Sequence, residues 1–268
     1  MHNPTQASFN YAINENDHLS MKNRLKNLYK YPLIIILILS SQCVMADELQ
    51  LGLAVLNSQS AIQGKAVETE LLPAIIYQGE NFSFIFDTLS YGLFASDSLS
   101  ISMTGQLRLE TYKPKDSEAL NGMDKRDSSL DLGINIQSNH SWGTLELAAS
   151  GDVSSTYDGY EVKASYAYPW MRGRWLLKPE VGVSYLSQQL VDYYYGVNIS
   201  EQKASRPAYN GEATVNSFFN FSVFYRLNEK WNVIGGIVYV HLDDAISKSP
   251  IVDESHEASA FMAVTYTY

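Results

Sequence analysis

Apolar and polar residues alternate with period two along much of this chain. In the stretch from Leu99 to Glu110, Leu99, Ile101, Met103, Leu107 and Leu109 alternate with Ser100, Ser102, Thr104, Gln106, Arg108 and Glu110. Leu130, Leu132, Ile134 and Ile136 oppose Asp131, Asn135 and Gln137, and Val162, Ala164, Tyr166 and Tyr168 oppose Glu161, Lys163 and Ser165. Trp175, Leu177, Val181, Val183 and Tyr185 oppose Lys178, Glu180 and Ser184. The chain closes the same way, with Ala260, Met262, Val264, Tyr266 and Tyr268 on one face. This period predicts strands that face two different solvents. The runs are about 9–15 residues long, the length of a tilted membrane strand and longer than the usual soluble strand of about 5–6.

Connector lengths then predict topology, because bacterial barrels alternate short periplasmic turns with longer external loops and hold an even number of strands. Short turns are expected near Gly79, Asn139–Ser141, Trp170–Gly173 and Asn228–Glu229, and long connectors at 57–65, 113–127, 188–211 and 244–255. Splitting Asn81–Ala95 near Asp87–Ser90 preserves this alternation. It predicts an all-β, transmembrane antiparallel barrel of about twelve strands, with ten as the alternative. Trp142, Trp170, Trp175 and Trp231 all flank the short turns. With Tyr77, Tyr266 and Tyr268 they are expected to form the inner aromatic girdle. Pro73 and Pro179 fit this scheme poorly, since each removes a ladder donor, and Phe218-Phe219-Asn220-Phe221 does not alternate.

The front of the chain changes the compartment. Residues 1–20 are polar and read as an extension upstream of the true start at Met21. Residues 21–46 have the build of a secretory signal peptide: basic Lys22, Arg24, Lys26 and Lys30, an apolar core from Leu33 to Leu39, and a Val44-Met45-Ala46 cleavage site. The outer-membrane barrel is then expected over 47–268. Removing the four basic and two acidic residues of 1–46 leaves 15 Lys+Arg against 27 Asp+Glu, a net charge of −12. Such a chain is a poor nucleic-acid ligand. Cys43 is the only cysteine and lies in the segment to be removed, which excludes thiol nucleophiles, zinc–thiolate sites and disulfides from the barrel.

Asp192-Tyr193-Tyr194-Tyr195-Gly196-Val197 is followed by Arg206-Pro207-Ala208-Tyr209, then by Asp243-Asp244-Ala245 and Ser249-Pro250-Ile251-Val252. This order resembles the MipA/OmpV family of outer-membrane proteins, as does Leu72-Pro73-Ala74-Ile75-Ile76-Tyr77. The resemblance implies a barrel in the cell outer membrane, set in lipid, and explains a proline in the second strand. It also implies a non-enzymatic role. Family members are described as scaffolds for a lytic transglycosylase and a murein synthase, so periplasmic murein enzymes are the expected partners. A narrow porin or solute- or antibiotic-responsive channel, or an adhesin, are the alternatives. Val264, Tyr266 and Tyr268 resemble the terminal signal read by the barrel-assembly machinery.

No catalytic, metal or cofactor site is expected. Among the histidines after residue 46, His140, His241 and His256, the base–carboxylate candidate is His241 with Asp243 and Asp244 near the external rim, and its face alternates with Tyr239 and Ile237. Asp253, Glu254 and Glu257 form an acidic run of the usual solvated kind. The candidate interaction residues are Tyr193, Tyr194, Tyr195, Gly196, Arg206 and Tyr209 in the external loop 188–211, where tyrosine faces and a guanidinium suit docking. Packing of Tyr194–Val197 over the barrel mouth is the structural alternative. Arg108, Lys163, Lys178 and Arg226 are expected to face Glu110, Asp131, Glu146, Glu161 and Glu180 in the lumen and to fill it with ion pairs.

Overall fold

The computed structural model describes residues 48–109 and 112–268. The expected leader, its cleavage site and Glu110 lie outside the described residues. Thirteen ladder segments form the wall: β1 (Glu48–Gln59), β2 (Glu68–Gln78), β3 (Phe82–Ile85), β4 (Thr88–Ala95), β5 (Leu99–Arg108), β6 (Ser129–His140), β7 (Gly143–Asp152), β8 (Tyr160–Ala167), β9 (Trp170–Arg172), β10 (Trp175–Leu186), β11 (Thr214–Arg226), β12 (Trp231–His241) and β13 (His256–Thr267). Neighbours pair antiparallel in chain order, and the wall closes where β13 meets β1, with Leu53 opposite Val264. β8 and β9 pair with β10 in one continuous register, from Ala167 opposite Glu180 to Trp170 opposite Leu177. They are one strand broken at Pro169, so the barrel has twelve strands. Closure leaves no free edge around most of the circumference, as a strand-built membrane protein requires.

The two prolines that fit the pattern poorly sit where the ladder is interrupted. Successive residues of a strand direct their N–H and C=O groups to opposite neighbours. The Ile75 carbonyl accepts from the Phe86 amide, 3.1 Å away, so Pro73 also faces the β3 side, where pairing begins only at Ile76. The Pro179 carbonyl accepts from Tyr168, 3.0 Å away, so its missing donor faces the break at Pro169. Neither proline removes a bond the wall would otherwise make.

Short turns at 79–81, 96–98, 141–142, 173–174 and 227–230 mark one end, and the long connections mark the other. Trp170 belongs to β9 rather than to the turn, which falls at Gly173–Arg174, with Gly173 at a φ of +62°. The expected split of Asn81–Ala95 is present, with its turn at Phe86–Asp87. All four tryptophans are about half exposed at the short-turn end; Trp231 meets Tyr266 edge-on at 5.2 Å, and Trp175 lies 4.3 Å from Tyr225. By the parity of short and long connections this end is periplasmic.

Side chains fill much of the lumen. Phe218 stands opposite Gly182 and Phe261 opposite Gly236; a Cβ on either glycine would come within 2.4 Å and 2.7 Å of the facing ring. The non-alternating Phe218–Phe221 run therefore places Phe218 inward over a glycine and Phe219 and Phe221 outward. One half of the lumen is apolar, built from Ala54, Leu56, Ala74, Ile76, Ile234, Phe261 and Ala263.

Candidate functional site

The external loops fold into a cap with its own apolar core, and the cap is the most elaborate feature beyond the wall. Ile62, Tyr112, Leu120, Leu190, Val191, Tyr194, Val197, Ile246 and Ile251 are all nearly inaccessible and share one cluster. They come from four different connections, so burial of about 1.5–3 kcal/mol per large apolar side chain holds the loops to one another. Two short helices shape the cap. In α1 (Gln188–Tyr195) the Ser187 hydroxyl caps the first turn by accepting from Leu190, and it also accepts from Tyr160 at 2.9 Å. In α2 (Asp244–Ser247) Asp243 accepts from the Ala245 amide and from the Thr214 hydroxyl at 2.8 Å. These bonds, Thr214's foremost, hold the Asp243 carboxyl below its usual range.

Two arginines join the loop after β5 to the loop after β10. The Arg126 guanidinium donates to both Glu201 oxygens at 3.1 Å and lies between the rings of Tyr112 and Tyr193, 5.5 and 5.7 Å from their centres. Glu201 also accepts from the Asp124 and Asn198 amides at 2.8 and 2.9 Å. Burial pushes the Glu201 carboxyl up, but the Arg126 and amide bonds outweigh it and leave the group below its ordinary value of 4.5. Arg206 donates to the carbonyls of Ala119, of Asn121 and of Glu201, the last at 2.6 Å.

The residues singled out from sequence are brought together here. Tyr194, Gly196 and Arg206 are buried, and Tyr193, Tyr195 and Tyr209 are half-buried. The Tyr195 carbonyl accepts from Ser249 at 2.6 Å, Val197 bridges to Tyr209, and the Tyr209 hydroxyl donates to the Ala245 carbonyl at 3.0 Å. The dispersed segments at 192–197, 206–209, 243–245 and 249–252 are thus mutual contacts of one cap. Sequence reading missed Arg126 and Glu201 as a pair; the Asn198–Glu201 capping box was the available signal.

Beneath the cap lies a charged wall. Arg108 donates to Asp131 and to Glu161, each at 2.9 Å, and Lys163 approaches Glu161 at 3.5 Å. Asp131 also accepts from the Tyr157 hydroxyl at 2.7 Å. Tyr157 is presented by the loop after β7, where the Asp152 carboxylate gathers the amides of Thr156, Tyr157 and Asp158. The pairing expected of Arg108, Asp131, Glu161 and Lys163 is present, whereas Arg226 lies exposed at the periplasmic rim. A cavity of about 140 Å³ remains between this wall and Phe218, Val238 and Val240.

The other candidates disperse. His241 is exposed on the outer face with Tyr239 and Ile237. Glu257 turns into the cavity, Asp253 accepts from the Gly64 amide, and Glu254 approaches His256 at 3.8 Å. Among the described residues no three of His, Cys, Asp and Glu are placed to hold a metal. Val264, Tyr266 and Tyr268 lie on the outward face of the last strand, and the Tyr268 amide donates to the Leu49 carbonyl at 3.0 Å.

The chain is similar in sequence to named outer-membrane proteins. OmpV, an outer membrane protein of Vibrio cholerae serotype O1, is 27% identical over 194 residues, covering 72% of this chain and 76% of that one. The MltA-interacting protein of Escherichia coli (strain K12) is 26% identical over 200 residues, 74% of this chain and 81% of that one. Among solved structures, the NanC porin matches with a TM-score of 0.44 and 11% identity, over 80% of this chain and 98% of that chain. The family model described as MltA-interacting protein MipA matches residues 51–268. This outer-membrane β-barrel therefore belongs to the MltA-interacting protein MipA family.

Proposed function

We propose that the barrel is a non-enzymatic interaction protein of the cell envelope that holds murein-synthesising and murein-hydrolysing enzymes at the inner face of the outer membrane. The observation that carries this reading is the capped mouth: four connections share one buried core above a lumen wall of paired charges. A barrel built so is better suited to present surfaces than to conduct. The name of the E. coli relative points to the same partner class. The periplasmic rim offers a fitting surface, with Arg174, Arg226 and Lys230 beside the exposed ring of Trp231. An aromatic residue amid cations is a common anchor for a protein partner.

Crosslinking in intact envelopes followed by recovery of the barrel tests this reading. Murein enzymes should be recovered with the wild type and with loop 188–211 deleted. They should be lost when Arg174, Arg226 and Lys230 are all replaced by Glu. Recovery that depends on the external loop instead favours an adhesin-type role, in which Tyr193, Tyr195 and Tyr209 supply the exposed part of the contact. We also propose that Val264, Tyr266 and Tyr268 are read by the barrel-assembly machinery.

A further inference from the structure

The cavity beneath the cap has a polar side whose groups do not satisfy one another. Glu180 of β10 and Asn220 of β11 stand directly opposite in the ladder, and both line the cavity. Ser184 lines it from the same face of β10, four residues further along. Glu180 makes no hydrogen bond or ion pair among the described residues. Ser184 is 6% exposed, and its hydroxyl has no hydrogen-bond partner among them either. The Asn220 side chain is likewise unbonded, and its Oδ1 atom is buried. Polar groups left so carry a desolvation cost that a bound partner removes.

Water can satisfy a hydroxyl or an amide, but it does not neutralise charge, and the charge here is unbalanced. The lining carries Glu146, Glu161, Glu180 and Glu257 against Arg108 and Lys163. Both cations are already engaged: Arg108 holds Asp131 and Glu161, and Lys163 approaches Glu161 with Asp87 also near it. Glu146 accepts from Asn135 and Gln137 at 2.7 and 3.2 Å, two side chains without charge, and it lies close enough to Glu180 for the carboxylates to repel. Lys178 adds a cation beside Glu146. With Lys178, Asp131 and Asp87 all counted, the carboxylates still outnumber the cations. The opposite side of the cavity is apolar, built from Phe218, Val238 and Val240.

We propose that this cavity binds a small primary ammonium ion, with its charge between Glu180 and Glu146 and its apolar body against Phe218, Val238 and Val240. An ammonium group has three donors and no acceptor. The two carboxylates take two of them, and a half-turn of the Asn220 amide brings its oxygen to the third. The aromatic ring of Phe218 is itself a favourable neighbour for a cation. A cavity of about 150 Å³ takes a molecule of benzene's size, which sets the scale of the body. Leu190, Tyr194 and Tyr195 of the cap roof the site and enclose what it holds. A metal ion suits it less, since no three of His, Cys, Asp and Glu converge among the described residues. A carboxylate or phosphate ligand would meet repulsion.

Equilibrium dialysis of radiolabelled cyclohexylamine against the wild-type barrel, refolded in an uncharged detergent with protein-free micelles as the blank, tests this site. One saturable site per barrel is expected. Unlabelled cyclohexylamine should displace the label, and cyclohexanol and cyclohexanecarboxylate should do so about tenfold less well or not at all. Glu180→Gln should weaken binding about tenfold through loss of one charge contact. Glu80→Gln, an exposed carboxylate in a periplasmic turn, should leave it unchanged. The heat-modifiable gel shift verifies that both variants are folded, and the three ligands discriminate on the wild type alone. Absence of saturable binding to the wild type overturns the site. Equal displacement by cyclohexanol overturns the ammonium assignment, and unchanged affinity in folded Glu180→Gln overturns the placement of the charge.

Discussion

Arg126 and Glu201 meet through two hydrogen bonds of 3.1 Å, with their side chains 5% and 2% exposed, although 75 positions separate them in the chain. The pair fastens the loop after β5 to the loop after β10. Removing one member of a buried pair strands the other charge and typically costs about 3–5 kcal/mol. Arg126→Ala should therefore loosen the cap while the barrel, whose ladder is untouched, stays folded. Protease cleavage in 112–128 and 196–213 should rise strongly, with the heat-modifiable gel shift retained.

The same pair predicts a pH dependence. The Glu201 carboxyl titrates below its ordinary 4.5 in the folded cap because Arg126 and two amides outweigh its burial. Its contribution to cap stability is thus fully present above pH 4.5 and is lost as pH falls through the depressed folded value. Hydrogen exchange in the cap should be unchanged between pH 7 and 5, after correction for intrinsic rates, and should accelerate at more acidic pH. Glu201→Gln should shrink the acid-dependent step, leaving the part that the depressed Asp243 carboxyl contributes.

Arg108, Asp131 and Glu161 form a buried network inside the wall, and its members depend on one another. Arg108→Ala leaves Asp131 without a cation and Glu161 with Lys163 alone, and should lower the urea midpoint of barrel unfolding, by about 3–5 kcal/mol in stability. Replacing all three by apolar residues of similar size should restore most of that loss. A triple variant as unstable as the single one would show that the network contributes more than mutual neutralisation.

Gly182 lies beneath the Phe218 ring, where a Cβ would come within 2.4 Å. Gly182→Leu should destabilise by about 1–3 kcal/mol through overpacking. Pairing it with Phe218→Ala should recover much of the loss. Thermal unfolding of the two variants in detergent checks this.

Removal of Tyr268 tests the terminal strand. Its ring packs edge-on against Tyr266 at 5.0 Å and contacts little else of the barrel, so its loss should cost little stability. Reduced outer-membrane assembly in cells, alongside normal refolding in vitro, is the expected result.

Much of the wall was legible because period-two alternation is imposed directly by lipid on one side and lumen on the other. The splitting of Asn81–Ala95 and the aromatic girdle followed from connection parity and from the place of Trp142, Trp170, Trp175 and Trp231. Sequence placed the turn after β9 too early, since Trp170–Arg172 regain the ladder after Pro169 and only Gly173 takes the left-handed turn. The cap was less legible. Tyr194 and Arg206 have the composition of a binding loop, and their burial depends on Leu120, Ala119 and Ile251 from distant segments. Nothing local in 113–127 distinguishes Arg126 from its solvated neighbour Lys125. Pro73 looked like a flaw until it was seen to lie beyond the stretch, Ile76–Gln78, where β2 pairs with β3.

The central claim is that the mouth of this barrel is sealed by a cap held by the Arg126–Glu201 pair. Single-channel recording in planar bilayers tests it most directly. The wild type should show no steady conductance above baseline, and Arg126→Ala should show frequent openings. A large, steady conductance from the wild-type barrel, unchanged by Arg126→Ala, would contradict the account.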